Sequence, residues 1–375
     1  RREFSNFRRY TYFVSPELPN KTFINQLGKG DFTSLEKILA VFSLESVSND
    51  FYNEFEPKFK RIANAVQNTD DTDLREDFAL LFVIRTIFLG FVQKKGWLGG
   101  KEKFLEEFWE EYNSTNYGKD KFYENWLEPL FFEALNSPPG RKVKYQNNDF
   151  SPETERILQD APFLNGELFK HKNGVDNKGL RIPDRVIGEF LEFLFQYNFT
   201  IEENTLYDEE LELNPEFLGI IFERLVNKAD GAVYTPRTEV DFMCRMALVQ
   251  WLIKNSSADM LDLYHLMFRE GGTGSEHDDD QKSGDFSPNQ IRELSGLLRN
   301  VTVCDPAAGS GAFEVGMLHV LEEVIDSLAH RKNTPEDVAK LSPFEQKKEI
   351  IANSLYGVEV KQWAVWINQL RLWLT

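Results

Sequence analysis

The residues best suited to chemistry lie late in the chain, where residues 305–313 read DPAAGSGAF. Gly309 and Gly311 allow a tight turn and a close approach of the backbone to a ligand, because glycine has no Cβ. Asp305 places a carboxylate at the start of this turn, where a cationic group can bind. A second carboxylate, Glu359, follows an apolar β-type segment and can accept hydrogen bonds from ribose hydroxyls. These residues predict a ligand-binding site formed by a glycine turn and two carboxylates.

A glycine pair of this kind also occurs in dinucleotide-binding enzymes and in purely structural turns. The dinucleotide fingerprint G-x-G-x-x-G requires glycine at position 314, where this chain has Glu314. The acidic residue of that fingerprint should follow about twenty residues later, whereas Glu359 comes much later in the chain. The sequence also lacks the G-x-x-x-x-G-K-[ST] phosphate loop. Neither nucleotide-phosphate motif therefore fits.

The elements that must position these residues alternate between strand and helix. Residues 301–304 predict a short apolar strand rich in β-branched residues, and residues 312–328 predict a helix. Residues 355–358 predict a second strand, followed by a helix over residues 361–374. Ser287-Pro288 predicts the start of a preceding helix, with Ser as the N-cap and Pro at the first helical position. This order is that of the opening of a doubly wound sheet, whose ligands bind at the carboxyl ends of the strands.

Three segments resemble motifs of the gamma-class adenine-N6 DNA methyltransferases. DPAAGSGAF is similar to their D-P-A-C-G-S-G-A-F motif, with Ala308 where the family usually has Cys. Residues 231–236, GAVYTP, resemble the family's G-x-[FY]-Y-T-P segment, and residues 355–360, LYGVEV, resemble L-Y-G-V-[DE]-[IL]. The three motifs occur in the family's order. The resemblance implies a Rossmann-like α/β methyltransferase domain that binds S-adenosyl-L-methionine.

The same resemblance implies which residues bind the cofactor. In the family, the G-x-[FY]-Y-T-P segment covers the methionine end, and the acidic residue after the second strand binds the ribose. Carried onto this sequence, the implied cofactor-binding residues are Tyr234, Thr235, Pro236, Asp305, Ala307, Gly309, Gly311, Glu359 and Val360.

The catalytic segment of the family, Asn-Pro-Pro-Tyr or Asn-Pro-Pro-Phe, holds the amino group of the extruded adenine. It is not found in this sequence, so we assign no catalytic residue, and we assign no metal ligand either. Residues 136–140, NSPPG, have an extra Ser, lack the aromatic residue and precede the glycine turn. We therefore expect these 375 residues to lack methyl-transfer activity, as a segment that ends before the catalytic motif.

Three segments upstream resemble those of large restriction–modification enzymes in which the methyltransferase is fused to other domains. They are residues 88–98 (FLGFVQKKGWL), residues 163–169 (FLNGELF) and residues 214–223, which begin with Asn-Pro-Glu. The resemblance implies a type IIG restriction–modification or related phage-defence enzyme. It implies double-stranded DNA as the partner of the full-length protein, with nuclease, helicase or specificity domains or subunits.

The wider pattern predicts two domains. Residues 1–225 predict a mostly α-helical domain, and residues 226–375 predict the N-terminal part of the α/β methyltransferase domain, with a flexible acidic insertion at about 271–287. The most apolar run, residues 78–92, is too short for a membrane span and predicts a buried helix. Only two cysteines occur and no signal peptide opens the chain, so we expect a cytoplasmic protein without membrane contact.

The net charge of −18 is unusual for a nucleic-acid binder, because an acidic surface repels phosphate. Residues 1–30 depart from this balance, with six basic and two acidic side chains. Any surface that faces DNA is therefore expected to be local. Two other functions stay open: a non-catalytic helical module that positions DNA or partner domains, and a methyltransferase that acts on RNA or protein, which the upstream segments favour less than a DNA enzyme.

Overall fold

The computed structural model describes residues 9–12, 14–17, 19–42, 44–116, 118–138, 144–145, 149–164, 167–200, 208–210, 213–226, 235–268, 286–338 and 340–375. The chain divides into two compact units, an N-terminal unit of residues 7–221 and a C-terminal unit of residues 222–373. The described residues are mostly helical, and their strands are β1 (Arg9–Thr11), β2 (Asp208–Glu210), β3 (Val303–Asp305) and β4 (Leu355–Gly357). Each unit contains one two-stranded parallel sheet among these residues, β1 with β2 and β3 with β4.

Helices form most of both units. In chain order, the first seven are α1 (Lys21–Lys29), α2 (Leu35–Val41), α3 (Leu44–Ala65), α4 (Thr72–Lys94), α5 (Phe104–Asn116), α6 (Pro152–Gln159) and α7 (Asp184–Leu194). The next seven are α8 (Pro215–Val226), α9 (Arg237–Asn255), α10 (Met260–Phe268), α11 (Pro288–Asn300), α12 (Ala312–Ala329), α13 (Pro343–Asn353) and α14 (Gln362–Leu374). Two π-helical segments, Tyr123–Leu127 and Pro129–Ala134, follow α5.

The N-terminal unit is built around α4, whose residues from Phe78 to Val92 are all buried except Leu80, which confirms the buried helix that the sequence predicts. The helix starts at Thr72, before the predicted start, because the Asp71 carboxylate accepts hydrogen bonds from two backbone amides of its first turn. Aromatic side chains from α3, α4, α5 and α7 fill the core around it. No helix in the described part of the chain combines the length and the apolarity needed to cross a bilayer.

One prediction in this unit is wrong at its edge. Residues 137–155 are rich in Pro, Asn and Gly, which predicts a loop, but the helix α6 begins within that range, at Pro152. Ser151 caps this helix by accepting a hydrogen bond from the Thr154 amide, and Pro152 occupies the first helical position. Ser151-Pro152 is therefore a helix start of the same type as the one predicted at Ser287-Pro288.

The C-terminal unit packs α9, α11 and α12 around an apolar core. The core includes Leu248 and Leu252 of α9, Leu294 of α11, and Leu318 and Leu321 of α12, all of them buried. The predicted start of α11 is confirmed, since Ser287 and Gln290 form a reciprocal capping box. α9, α10 and α13 were not predicted, and most of the predicted acidic insertion, residues 269–285, lies outside the described residues.

The two strands of this unit form a parallel pair in which Val303 lies opposite Leu355 and Asp305 lies opposite Gly357. α12 and α13 connect them in sequence, which is the helical crossover that parallel strands require. Both strands are shorter than predicted. Among the described residues they form a two-stranded sheet only, so the sequence prediction of a larger, Rossmann-like sheet stays a prediction.

Candidate functional site

The glycine turn DPAAGSGAF lies directly after β3 and is held against the end of β4 by backbone hydrogen bonds. The Val358 amide donates to the Asp305 carbonyl at 2.9 Å, and the Ala308 amide donates to the Val358 carbonyl at 3.0 Å. These bonds extend the pairing of the two strands beyond their ends. The turn is therefore fixed at the carboxyl edge of the parallel pair, the edge at which sheets of this kind bind ligands.

Two glycines of the turn have backbone angles that other residues rarely adopt. Gly309 has a φ of +54° and Gly311 a φ of +87°, both in the left-handed region. Gly311 is also the N-cap of α12, so the chain reverses sharply between β3 and that helix. The glycine pair is required for the conformation of the turn itself, in addition to any contact with a ligand.

The Glu359 carboxylate joins the two sequence motifs. One oxygen accepts a hydrogen bond from the Gly309 amide at 2.9 Å, and the other accepts one from the Lys361 amide at 2.8 Å. Gly309 and Glu359 are 50 positions apart in sequence. Each carboxylate oxygen can accept a second hydrogen bond, and the half-buried side chain remains open to a ligand that donates hydroxyl groups.

Asp305 has one satisfied and one unsatisfied carboxylate oxygen. Oδ1 accepts a hydrogen bond from the Ala307 amide at 2.9 Å. Oδ2 is buried and has no partner among the described residues. An acceptor oxygen without a donor can accept a hydrogen bond from a cationic group such as an ammonium.

Ser310, at the centre of the turn, is held from two sides. Its hydroxyl donates to Glu223 Oε1 at 2.7 Å, and its carbonyl accepts from Arg371 Nη1 at 3.1 Å. Glu223 belongs to α8 and Arg371 to α14, and Arg371 is almost fully buried. Neither residue was predicted from the sequence to belong to the site, although Glu223 ends one of the upstream segments that resemble those of restriction–modification enzymes.

Under the turn lies a buried polar pair formed by Glu314 of α12 and Asn368 of α14. The Asn368 amide donates to Glu314 Oε1 at 3.1 Å. Burial, more than any neighbouring charge, raises the pKa of Glu314 to about 7. From the sequence, Glu314 was noted only as the residue that breaks the dinucleotide fingerprint, and no role was predicted for Asn368.

The remaining predicted site residues have different environments. Thr235 is half-buried and Pro236 exposed, immediately before α9, while Tyr234 lies outside the described residues. α9 packs on α12, where the Cys244 thiol lies 3.7 Å from the Phe313 carbonyl. Thr235-Pro236 thus precedes a helix that packs against the one following the glycine turn. Ala307 and Val360 are exposed, Val360 to 93%.

Comparisons with known proteins agree with the motifs. Residues 278–375 match the family model described as MmeI, DNA-methyltransferase domain. Over 319 residues the chain is 30% identical to a protein of Methanocaldococcus jannaschii named "Putative type II restriction enzyme and methyltransferase". That alignment covers 83% of this chain and 26% of the relative, so the chain spans about a quarter of the length of the relative it matches.

Among solved structures, the chain is similar to the type IIL restriction–modification enzyme MmeI in complex with DNA. The two share 16% sequence identity with a TM-score of 0.48, over 88% of this chain and 36% of the other. The chain is homologous to the protein named a putative type II restriction enzyme and methyltransferase, and its residues 278–375 match a DNA-methyltransferase domain. The resemblance read from the motifs is confirmed at this level.

Proposed function

We propose that the C-terminal unit is the S-adenosyl-L-methionine-binding part of a site-specific DNA adenine-N6 methyltransferase of a restriction–modification or phage-defence system. The observation that carries the proposal is the hydrogen bond from the Gly309 amide to Glu359. It joins the two segments that the motif resemblance assigns to one cofactor. The match of residues 278–375 to a DNA-methyltransferase domain supports the same assignment.

The residues of the site fit the cofactor. S-adenosyl-L-methionine carries an α-ammonium group, two ribose hydroxyls and a flat adenine ring. Asp305 Oδ2 is the buried, unpartnered acceptor that would hold the ammonium group. Glu359 would hold the ribose hydroxyls with the acceptor capacity that its two backbone contacts leave free. Val360 offers exposed apolar surface beside it for the adenine ring.

The bound cofactor supplies an electrophilic methyl group on a positively charged sulfur. The contribution of this chain is to bind and orient that group, because rate gains in group transfer depend on alignment of the reacting atoms. Arg371 and Glu223 hold Ser310 from its carbonyl and its hydroxyl, so the turn keeps one conformation. Thr235 and Pro236 before α9, with Tyr234, are proposed to close over the methionine end.

Double-stranded DNA is the proposed methyl acceptor, and the relative named for restriction and methylation supports this choice. Residues 1–225 are proposed as the helical domain that accompanies the methyltransferase domain of residues 226–375, in a cytoplasmic enzyme that also has nuclease or specificity parts. The adenine-binding Asn-Pro-Pro-aromatic segment is not in this sequence. We therefore expect no transfer of radiolabelled methyl groups to adenine-rich duplex by these 375 residues alone.

The test of the cofactor site compares two ligands that differ at the ammonium end. S-adenosyl-L-homocysteine retains the α-ammonium group, and methylthioadenosine lacks the whole amino-acid portion. Asp305→Asn should weaken binding of the first by about tenfold or more, the loss expected for a hydrogen bond to a charged group, and leave the second nearly unchanged. Calorimetric titration of both ligands measures this. Absence of S-adenosyl-L-homocysteine binding to the unmodified chain would refute the proposed function.

A further inference from the structure

Glu314 and Asn368 form a polar pair within the apolar interior of the C-terminal unit. Glu314 is 4% exposed and Asn368 is 9% exposed. One hydrogen bond joins them, from Asn368 Nδ2 to Glu314 Oε1 at 3.1 Å. The other two oxygens of the pair, Glu314 Oε2 and Asn368 Oδ1, are both buried and have no partner among the described residues.

The pair touches the backbone of the candidate site at two points. A Cβ added at Gly311, in the glycine turn, would overlap the Asn368 carboxamide. A Cβ added at Gly357, the last residue of β4, would overlap the Glu314 carboxylate. Both positions are glycine, so the backbone of the turn and of β4 lies directly on the pair. A movement of either side chain would therefore displace the backbone that it contacts.

Ionised Glu314 would leave an unfavourable arrangement. A carboxylate can only accept hydrogen bonds, and so can the Asn368 carbonyl oxygen. Two buried acceptors without donors each lose the hydrogen bonds they would make with water. One added proton changes this, because Glu314 Oε2 becomes an O–H donor and Asn368 Oδ1 is the unpaired acceptor within the same pair.

We propose that Glu314 is a neutral carboxylic acid in the folded protein, and that it forms a ring of two hydrogen bonds with the Asn368 carboxamide that positions the glycine turn. In the ring, Asn368 Nδ2 donates to Glu314 Oε1, and Glu314 Oε2 donates to Asn368 Oδ1. Both buried oxygens are then satisfied. Glu314 and Asn368 act as positioning residues, since neither would touch the cofactor. The consequence for cofactor binding rests on the proposed function, whereas the ring itself does not.

The charged groups around Glu314 are consistent with the neutral form. Asp305, at the end of β3, repels a second negative charge and raises the pKa of Glu314. Hydrogen bonds from the Glu314 backbone amide and from Asn368 act in the opposite direction, as does Arg371 on α14, whose guanidinium group is bonded to the Ser310 carbonyl, but burial is the largest effect and the net pKa is raised. On α9, burial raises the pKa of the Cys244 thiol to about 12, so this neighbour is neutral.

The direction of the pH effect follows from the raised pKa. The pKa of Glu314 is about 7 in the folded chain, against an ordinary value of 4.5. The stability that the ring contributes is therefore complete below about pH 4.5 and is lost as the pH rises to about 7. Cofactor affinity depends on the neutral folded form. It should hold below about pH 7 and fall above it.

The test uses Glu314→Gln, which keeps the shape and both hydrogen bonds without a titrating proton. The Gln amide donates to Asn368 Oδ1 and accepts from Asn368 Nδ2 at every pH. Glu336→Gln, the same substitution at an exposed position, is the matched control. Calorimetry measures the affinity for S-adenosyl-L-homocysteine at about pH 6.5 and at about pH 8.5. Between these two pH values, the affinity of the unmodified chain and of the control should fall about tenfold more than the affinity of Glu314→Gln. Because the ligand titrates alike in all three, only the difference counts.

Infrared spectroscopy gives a readout that needs no cofactor. At about pH 6 the unmodified chain and the control should show a carbonyl stretch of a buried protonated carboxylic acid that is lost in Glu314→Gln. Burial also raises the pKa of Glu128 to about 7, but its contribution is the same in all three proteins and cancels in the difference spectrum. Absence of the Glu314-dependent band from the unmodified chain would overturn the proposal. A Glu314-dependent band together with identical pH profiles of affinity would overturn the positioning role. No ligand binding in any variant, with the band present, would reject the proposed function and leave the ring established.

Discussion

Gly311→Ala is the substitution whose effect the structure defines most sharply. Gly311 has a φ of +87°, which is strained for any residue with a Cβ. The new methyl group would also overlap the carboxamide of Asn368. Gly309 provides a matched control in the same turn. Its φ is +54°, but the nearest atom to an added Cβ is Glu223 Oε1 at 3.5 Å, an ordinary contact.

The magnitude is the sum of two effects. The left-handed conformation costs about 1–2 kcal/mol for a residue with a Cβ. Displacement of Asn368 breaks its buried hydrogen bond to Glu314, and an unsatisfied buried polar group costs about 1–3 kcal/mol more. Gly311→Ala should therefore lower the free energy of unfolding by about 2–5 kcal/mol, and Gly309→Ala by the conformational part alone.

Urea denaturation of both variants measures these free energies. A double variant adds a check, because Asn368→Ala removes the group that the new methyl would overlap. Gly311→Ala with Asn368→Ala should then be less destabilised than the sum of the two single variants by about 1–3 kcal/mol, since the two sites are in contact. Equal destabilisation by the two glycine substitutions, or strict additivity in the double variant, would refute the reasoning.

Three further predictions concern the cofactor and the N-terminal core. Glu359→Ala should weaken S-adenosyl-L-methionine binding by about 1.5–3 kcal/mol, because hydrogen bonds to a charged acceptor are lost; unchanged affinity in calorimetric titration would exclude Glu359 from the site. Glu223→Leu should weaken S-adenosyl-L-homocysteine binding by about 1 kcal/mol, because the Ser310 hydroxyl loses its acceptor. Glu223→Gln keeps an acceptor and should change the affinity little. Equal losses of affinity in the two variants would contradict a role of Glu223 in holding Ser310. Arg85 binds the buried Asp176 carboxylate through two hydrogen bonds, of 2.7 and 2.8 Å. Arg85→Met leaves this carboxylate without its partner and should lower the free energy of unfolding by about 3–5 kcal/mol. An unchanged midpoint in urea denaturation would contradict this prediction.

Local signals predicted the elements that carry the site. The Ser287-Pro288 pair predicted the start of α11, and the glycine turn predicted the start of α12 at Ala312. Such signals act within one or two helical turns, because caps and backbone conformations involve neighbouring residues. The helices α9, α10 and α13 were not predicted, and α6 was not predicted either, because its Ser-Pro cap was interpreted as part of a loop.

The sequence by itself determined the class of site: a glycine turn after a strand, two carboxylates at strand ends, and motifs in the order of the DNA methyltransferases. Only the tertiary structure decided how these parts meet. The contacts of Ser310 with Glu223, and of Glu314 with Asn368, join residues 87 and 54 positions apart. These hydrogen bonds link Glu223 to the glycine turn and α12 to α14, and no local pattern encodes such pairings. Burial likewise raises the pKa of Glu314, because a carboxylate is harder to ionise when the fold removes water from it.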